Sequence, residues 1–191
     1  MERIILASAS PRRKELLKML TGDRFQVFTS SYDEGTAQKS DPAELVTRNS
    51  LGKAREVARH FNDGVIISAD TVVLCREEIL GKPDNAAMAK GMLRKVSGQQ
   101  VQAITGITVL DVSRNREITR HEITNLWIKQ LSEEDVESYV NSGEPFGKAG
   151  AFAVQGKGAL FVERIEGDFF NAVGLPLFRL GRMLKEMGIQ L

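Results

Sequence analysis

An aspartate set in an apolar strand is the first place in this sequence where chemistry could reside. Asp70 lies within Ile66-Ile67-Ser68-Ala69-Asp70-Thr71-Val72-Val73. If side chains alternate, Ile66, Ser68, Asp70, Val72 and Leu74 share one face. An ionised carboxylate there is costly unless it is paired, bound to a metal, or set at a sheet edge facing a cleft. Metal coordination and general-base work would use the same oxygens. The plainer alternative is an acid that caps a loop or pairs with a lysine.

The second candidate is Ser8-Ala9-Ser10-Pro11-Arg12-Arg13. A strand feeding straight into a helix leaves free backbone N–H groups and a positive dipole end at one spot. Two hydroxyls and two guanidiniums in that turn could complete a phosphate cradle, because the planar fork of Arg donates paired hydrogen bonds to phosphate oxygens. The alternative is a well-capped helix whose arginines are solvated. Lys53, on a helix, and Lys82, in Gly81-Lys82-Pro83, are isolated cations that solvent ordinarily claims. Lys82 gains some weight because its turn can aim the side chain. Glu34, in an acidic loop, is uninformative alone.

The elements that must position these residues are legible. Ile4–Ala7 reads as a short buried strand, and Ser10 before Pro11 starts a helix through Leu16, Leu17 and Leu20 that ends near Gly22. Phe25–Phe28 reads as a second strand, followed by the loop Ser31–Gly35. Ser40-Asp41-Pro42 starts a second helix, with Leu45, Ala54, Val57, Ala58 and Phe61 at helical spacing. Val65–Cys75 is the strongest strand, followed by a turn at Arg76–Glu78 and a helix from Asn85 to Val96. Residues 101–112 and 117–129 form a hairpin across Ser113–Arg116. Ser132–Asp135 starts a short helix in a capping-box pattern. A Gly-rich stretch, 143–158, precedes a strand at Leu160–Ile165, and a helix through Phe178, Leu180, Met183, Leu184 and Met187 closes the chain. Helices and strands alternate early and antiparallel strands come later, which predicts an α/β fold with a mixed sheet.

Composition narrows the function classes. The chain has 191 residues, 42% hydrophobic and 27% charged, enough for a substantial core in one domain or two closely packed lobes. A net charge of +1 argues against broad nucleic-acid binding. Cys75 is the sole cysteine, which excludes an internal disulfide, and its apolar neighbours predict a buried small hydrophobe. The opening Met1–Leu6 is too short and too polar for a signal peptide. No stretch approaches the ~20 apolar residues of a membrane span. A cytoplasmic, reduced, soluble protein is the expectation. His60 and His121 lack ligand-spaced partners, no Walker-type loop occurs, and Trp127 reads as core.

Taken together, these stretches resemble the Maf family of nucleotide pyrophosphatases. The matching segments are Leu6–Arg13, Asp33-Glu34, Lys53-Ala54, Ser68–Val73, Gly81-Lys82-Pro83, Met92–Gly98, Lys148–Phe152 leading to Gln155-Gly156, and Asn171–Leu177. They run in order over essentially the whole chain; only the loop at Thr21–Arg24 looks slightly longer than usual for the family. The resemblance implies a mixed, curved sheet with flanking helices, two lobes around a cleft, similar to the inosine triphosphate pyrophosphatases. It implies cleavage at the α-phosphate of a nucleoside triphosphate, releasing pyrophosphate, with a divalent cation such as Mg²⁺ or Mn²⁺. Asp70 matches the catalytic acid and Glu34 a second active-site carboxylate, the two expected to hold the metal. Ser8, Arg12, Arg13, Lys53 and Lys82 match phosphate-contacting positions. A homodimer, no membrane and no stable nucleic-acid partner also follow from the resemblance and the composition.

Within the family, Arg12, Thr71 and Gln155 resemble the group acting on dTTP and UTP, whereas the 7-methyl-GTP group carries an aromatic residue, a Gln and a Glu there. A neutral Gln amide offers both a donor and an acceptor to a uracil or thymine edge, while a carboxylate only accepts. The alternatives are a pyrophosphatase of 7-methyl-GTP or another modified nucleotide, and a non-catalytic nucleotide-binding regulator of cell division. The full acidic and basic set argues against a mere binder.

Overall fold

The computed structural model describes residues 2–34 and 41–190. Gly35 and Ser40, which the sequence places in the acidic loop and ahead of the second helix, lie outside the described residues. The fold is α/β, with a seven-stranded open mixed sheet in the order β2-β1-β3-β5-β6-β7 and β4 paired on β3. The strands are β1 (Ile4–Leu6), β2 (Phe25–Val27), β3 (Val65–Cys75), β4 (Glu78–Leu80), β5 (Gln100–Asp111), β6 (Arg116–Ile128) and β7 (Val162–Glu166). The helices are α1 (Pro11–Thr21), α2 (Pro42–Ala58), α3 (Ala86–Val96), α4 (Glu133–Asn141), α5 (Phe169–Val173) and α6 (Leu177–Glu186). Two compact units divide the chain, and β3, β5 and β6 contribute residues to both.

The first unit draws on the described residues of Met1–Asp70, Thr105–Glu122 and Gly174–Leu191. Its β1 pairs in parallel with β2 on one side and β3 on the other, Ile5 lying opposite Gln26 and Ile66. Parallel neighbours need crossovers, which α1 and α2 supply. Ser10 caps α1 by accepting the Arg13 N–H, with Pro11 at the first position. Asp41 caps α2 by accepting the N–H groups of Ala43 and Glu44. Ile5, Ala7, Ala54, Val57, Ile66 and Leu110 form the core between α2 and the strands, with Phe28, Ala58, Phe61 and Val112 packed against it.

α2 lies hard against the sheet, and that closeness aims its side chains. A Cβ on Gly106 of β5 would stand 2.2 Å from the Val46 carbonyl oxygen, so only glycine permits the approach. The Ser50 and Thr108 hydroxyls meet at 3.0 Å, and Ser68 Oγ donates to the Ser50 carbonyl at 2.6 Å. Ile66, Ser68 and Asp70 of β3 therefore all face α2, as strict alternation demands.

The second unit draws on Thr71–Ile104 and Ile123–Val173. Here β4 pairs antiparallel with the end of β3, Leu74 opposite Ile79, and β7 pairs antiparallel with β6. Ser132 and Asp135 close the expected capping box on α4. Buried Asn171 donates to the Ala103 carbonyl and to Thr124 Oγ1, tying α5 to the strands.

Four details differ from the sequence reading. The turn after Cys75 runs on into β4, because Arg76 turns in the left-handed region (φ 56°) and sends three residues back along β3. The strand expected at Leu160–Ile165 begins at Val162. Gly156–Phe161 coils into 3-10 turns instead, leaving Leu160 exposed. The short helix α5 carries too few residues to show a period. Trp127, expected in the core, is half-buried, with the Arg164 guanidinium stacked 4.5 Å from its ring centroid. Cys75 is buried and unpaired as expected, and burial pushes its thiol pKa up.

Candidate active site

Asp70 sits near the middle of β3 and is almost wholly buried, at 6% exposure. Both carboxylate oxygens are engaged from α2. Lys53 Nζ donates to Oδ1 at 2.7 Å and Asn49 Nδ2 donates to Oδ2 at 2.9 Å. Asn49 and Lys53 are four residues apart, so they stand on one face of the helix one turn from each other. Lys53 is itself buried at 9% exposure, and its ammonium also meets Glu34 Oε1 at 2.6 Å. One lysine thus bridges two carboxylates, one buried on a strand and one half-exposed in the stretch after β2.

Arg13 approaches from the first turn of α1. Its Nε donates to the Gly174 carbonyl and its Nη1 to the Ala69 carbonyl, both at 2.8 Å, with Ser8 Oγ at 3.4 Å from Nη1. Ser8 Oγ accepts the Ser10 N–H at 3.2 Å. The opening turn of α1 is thereby fixed to the residue just before Asp70. Burial depresses the Arg13 pKa, and the Asp70 charge works against that depression.

Burial by itself would raise the Asp70 pKa. The Lys53 charge and hydrogen bond, then the Asn49 hydrogen bond and the Arg13 charge, more than offset it and hold the carboxyl below its ordinary value. Asp70 is therefore ionised at neutral pH. Its contribution to stability is fully present above the unfolded carboxyl pKa, about 3.9, and is lost as pH falls through the depressed folded value.

The remaining sequence-identified residues are placed as follows. Arg12 is half-buried on α1. Thr71, next to Asp70 on β3, is where the second unit begins. Lys82 is exposed in the loop after β4, whose Gly81 carbonyl accepts the Gly150 N–H at 2.9 Å. Gln155 is exposed at the start of the Gly156–Phe161 turns, also in the second unit. The structure therefore brings Ser8, Arg13, Glu34, Lys53 and Asp70 together within the first unit.

Asn49 escaped the sequence reading. Its signal was its place four residues before Lys53, and Asn in a helix gives no other hint. Its Oδ1 is buried with no hydrogen-bond partner among the described residues. The amide cannot turn over to pair that oxygen, because an ionised carboxylate only accepts and requires the Nδ2 side.

No group of three or more His, Cys, Asp or Glu side chains suited to a metal occurs among the described residues. The Asp70 and Glu34 carboxylates, joined through Lys53, are nonetheless hard oxygen donors. That set fits Mg²⁺ or Mn²⁺, which bind through one or two carboxylates and complete their shells with water and substrate phosphates.

The family model described as Maf-like protein matches residues 3–187. This chain belongs to the Maf family. Among Maf relatives, a dTTP/UTP pyrophosphatase of Methanosarcina mazei is 56% identical over 189 residues, 99% of this chain and 96% of its own length. A dTTP/UTP pyrophosphatase of Clostridioides difficile is 46% identical over 183 residues, 96% of this chain and 94% of its own. Among solved structures, a HAM1 protein from Coxiella burnetii aligns with a TM-score of 0.51 at 15% identity, covering 97% of this Maf chain and 100% of the other. That likeness concerns the fold, and it agrees with the α/β expectation.

Proposed function

We propose that the chain is a nucleoside triphosphate pyrophosphatase that hydrolyses dTTP and UTP to the monophosphate and pyrophosphate. The observation that carries this reading is the buried Asp70 carboxylate, clamped by Lys53 and Asn49 and sharing that lysine with Glu34. Full-length similarity to relatives named dTTP/UTP pyrophosphatase, at 42–56% identity in an archaeal and bacterial set, supports the substrate class.

Water must attack the α-phosphorus while the bond to the oxygen bridging the α- and β-phosphorus atoms breaks. The anionic substrate repels that water, and pyrophosphate gathers charge as it leaves, so catalysis is mainly positioning and charge neutralisation. Lys53 has three ammonium hydrogens, and Asp70 and Glu34 engage two of them. The third is available to a phosphate oxygen. Arg12, the backbone N–H groups opening α1 and the Ser8 hydroxyl form an anion cradle, and Lys82 is assigned to phosphate by the family resemblance alone. Arg13 fixes that turn through its bonds to Gly174 and Ala69. Asp70, kept ionised, accepts a hydrogen bond from the attacking water and orients it. Asp70 and Glu34 would hold a divalent cation, Mg²⁺ or Mn²⁺, whose chemistry is to polarise phosphoryl oxygens and acidify bound water. Gln155 reads the pyrimidine edge, and Arg12 and Thr71 are the other two residues by which the family resemblance assigns the pyrimidine group.

A cytoplasmic setting and a homodimer belong to the same proposal and rest on family resemblance. No helix among the described residues is long and apolar enough to cross a membrane.

Purified protein with Mg²⁺ is expected to release pyrophosphate from UTP and dTTP in preference to CTP, ATP and 7-methyl-GTP. Preference for 7-methyl-GTP would overturn the pyrimidine assignment, and turnover of none of the five would overturn the enzymatic one. Gln155→Glu is expected to lower kcat/KM for UTP by about 10- to 100-fold, since a pocket left with an unpaired polar edge discriminates strongly. Gln155 is exposed, so the melting temperature should stay put. Unchanged base preference in that variant would remove Gln155 from recognition.

A further inference from the structure

Residues 30–32, after β2, are laid along α2 by contacts that have nothing to do with phosphate. Ser30 Oγ donates to Glu56 Oε2 at 2.7 Å, and the Ser31 backbone N–H and hydroxyl donate to the same carboxylate at 3.1 Å each. One helical turn before Glu56 stands Gly52, and there the packing is unusual. A Cβ built on Gly52 would lie 2.3 Å from Tyr32 Cζ and 2.4 and 2.7 Å from the two ring ε carbons. The aromatic ring occupies the space that any side chain at 52 would need.

Nothing in the backbone calls for glycine at this position. Gly52 is inside a regular helix and absent from the residues with positive φ. A glycine there costs about 1 kcal/mol relative to alanine. The ring of Tyr32 is what gives the glycine a purpose.

Two residues after Tyr32, Glu34 reaches Lys53 at 2.6 Å. The Glu34 side chain is 44% exposed, and an ion pair so placed contributes only about 0–1 kcal/mol. That is too little to order a loop, since fixing one residue's backbone costs about 1–2 kcal/mol. Upstream, the Glu56 hydrogen bonds and the half-buried ring contribute to that ordering; full burial of a large apolar side chain is worth about 1.5–3 kcal/mol.

We propose that Tyr32 and Gly52 form a positioning pair, the ring seated on the bare helix surface fixing the chain so that Glu34 is delivered to Lys53 beside Asp70. The pair touches no reacting atom. It acts through Glu34, and it rests on the reading of Glu34 and Asp70 as one catalytic centre.

Gly52→Ala, Tyr32→Val and the double variant test it against the wild type. Gly52→Ala improves helix propensity yet should lower kcat for UTP on the order of 10²-fold, the scale of an ångström's misplacement, with KM changed far less. Tyr32→Val, which removes the ring, should lower kcat to a similar degree, and the double variant should be no worse than either single, because both changes undo one contact. Crystal structures of the variants should show the Glu34–Lys53 pair broken in all three. Wild-type kcat with an intact pair in Gly52→Ala or in Tyr32→Val would overturn the proposal, as would losses that multiply in the double. If the wild type itself failed to hydrolyse UTP, the functional reading would fall, and the crystallographic Glu34–Lys53 contact would still decide the role of the pair.

Discussion

Asp70→Asn is expected to lower pyrophosphate release from UTP by on the order of 10³-fold, the range for losing a group that positions the reacting water and its charge. The substitution keeps shape: the new amide oxygen still accepts from Lys53, and Asn49 turned over accepts from the new NH2 group, so both retain a partner and circular dichroism should report an unchanged fold. It removes the negative charge that Lys53 and Arg13 share. At neutral pH the variant should therefore be less stable than the wild type. The gap should close as pH falls below about 4, where the wild-type carboxyl takes up its proton on unfolding and then in the folded state. A melting-temperature difference that widened on acidification would contradict the depressed Asp70 pKa. Near-wild-type turnover would take Asp70 out of the mechanism.

The larger effect on stability belongs to Lys53→Met. The substitution conserves volume and apolar stem but leaves Asp70 buried without its nearest cation. Breaking a buried pair in this way costs about 3–5 kcal/mol, which for a chain of this length lowers the melting temperature by roughly 10 °C. The pH dependence should also reverse. Without Lys53, burial, the largest single influence, is opposed by the Asn49 hydrogen bond and the Arg13 charge, and the Asp70 pKa is expected to rise above its unfolded value. A carboxyl raised on folding destabilises the protein progressively as pH climbs from the unfolded to the folded pKa. Urea denaturation should therefore find Lys53→Met more stable at pH 5 than at pH 7. Catalysis should fall as well, because Glu34 loses its partner and the polyphosphate loses a cation. A variant as stable as wild type at pH 7 would mean that solvent, and not Lys53, compensates Asp70.

The sequence made some of this centre visible for a physical reason and hid the rest for another. Asp70 stood out because a charge inside a β-branched apolar run demands a partner. Lys53 did not, because a lysine in an amphipathic helix is ordinarily solvated, and its burial depends on how closely α2 approaches the sheet at Gly106. That approach joins residues distant in sequence and leaves no local pattern. Asn49 was hidden for the same reason. Arg13 was visible as a cation at a helix start, yet its donation to the Gly174 and Ala69 carbonyls depended on where the chain returns after α5. Helix starts were well marked because caps and prolines act locally: Ser10-Pro11 and Asp41-Pro42 both head helices as expected. The short elements β4 and α5 were missed because three and five residues hold too little periodicity to register.

The most direct test is a crystal structure with Mn²⁺ and a UTP analogue whose α- and β-phosphorus atoms are joined through nitrogen and resist cleavage. The account predicts the ion on the carboxylates of Asp70 and Glu34, the α-phosphorus beside it, and the polyphosphate against Lys53 and the opening turn of α1. An analogue bound with its α-phosphorus and its cation remote from Asp70 would contradict it.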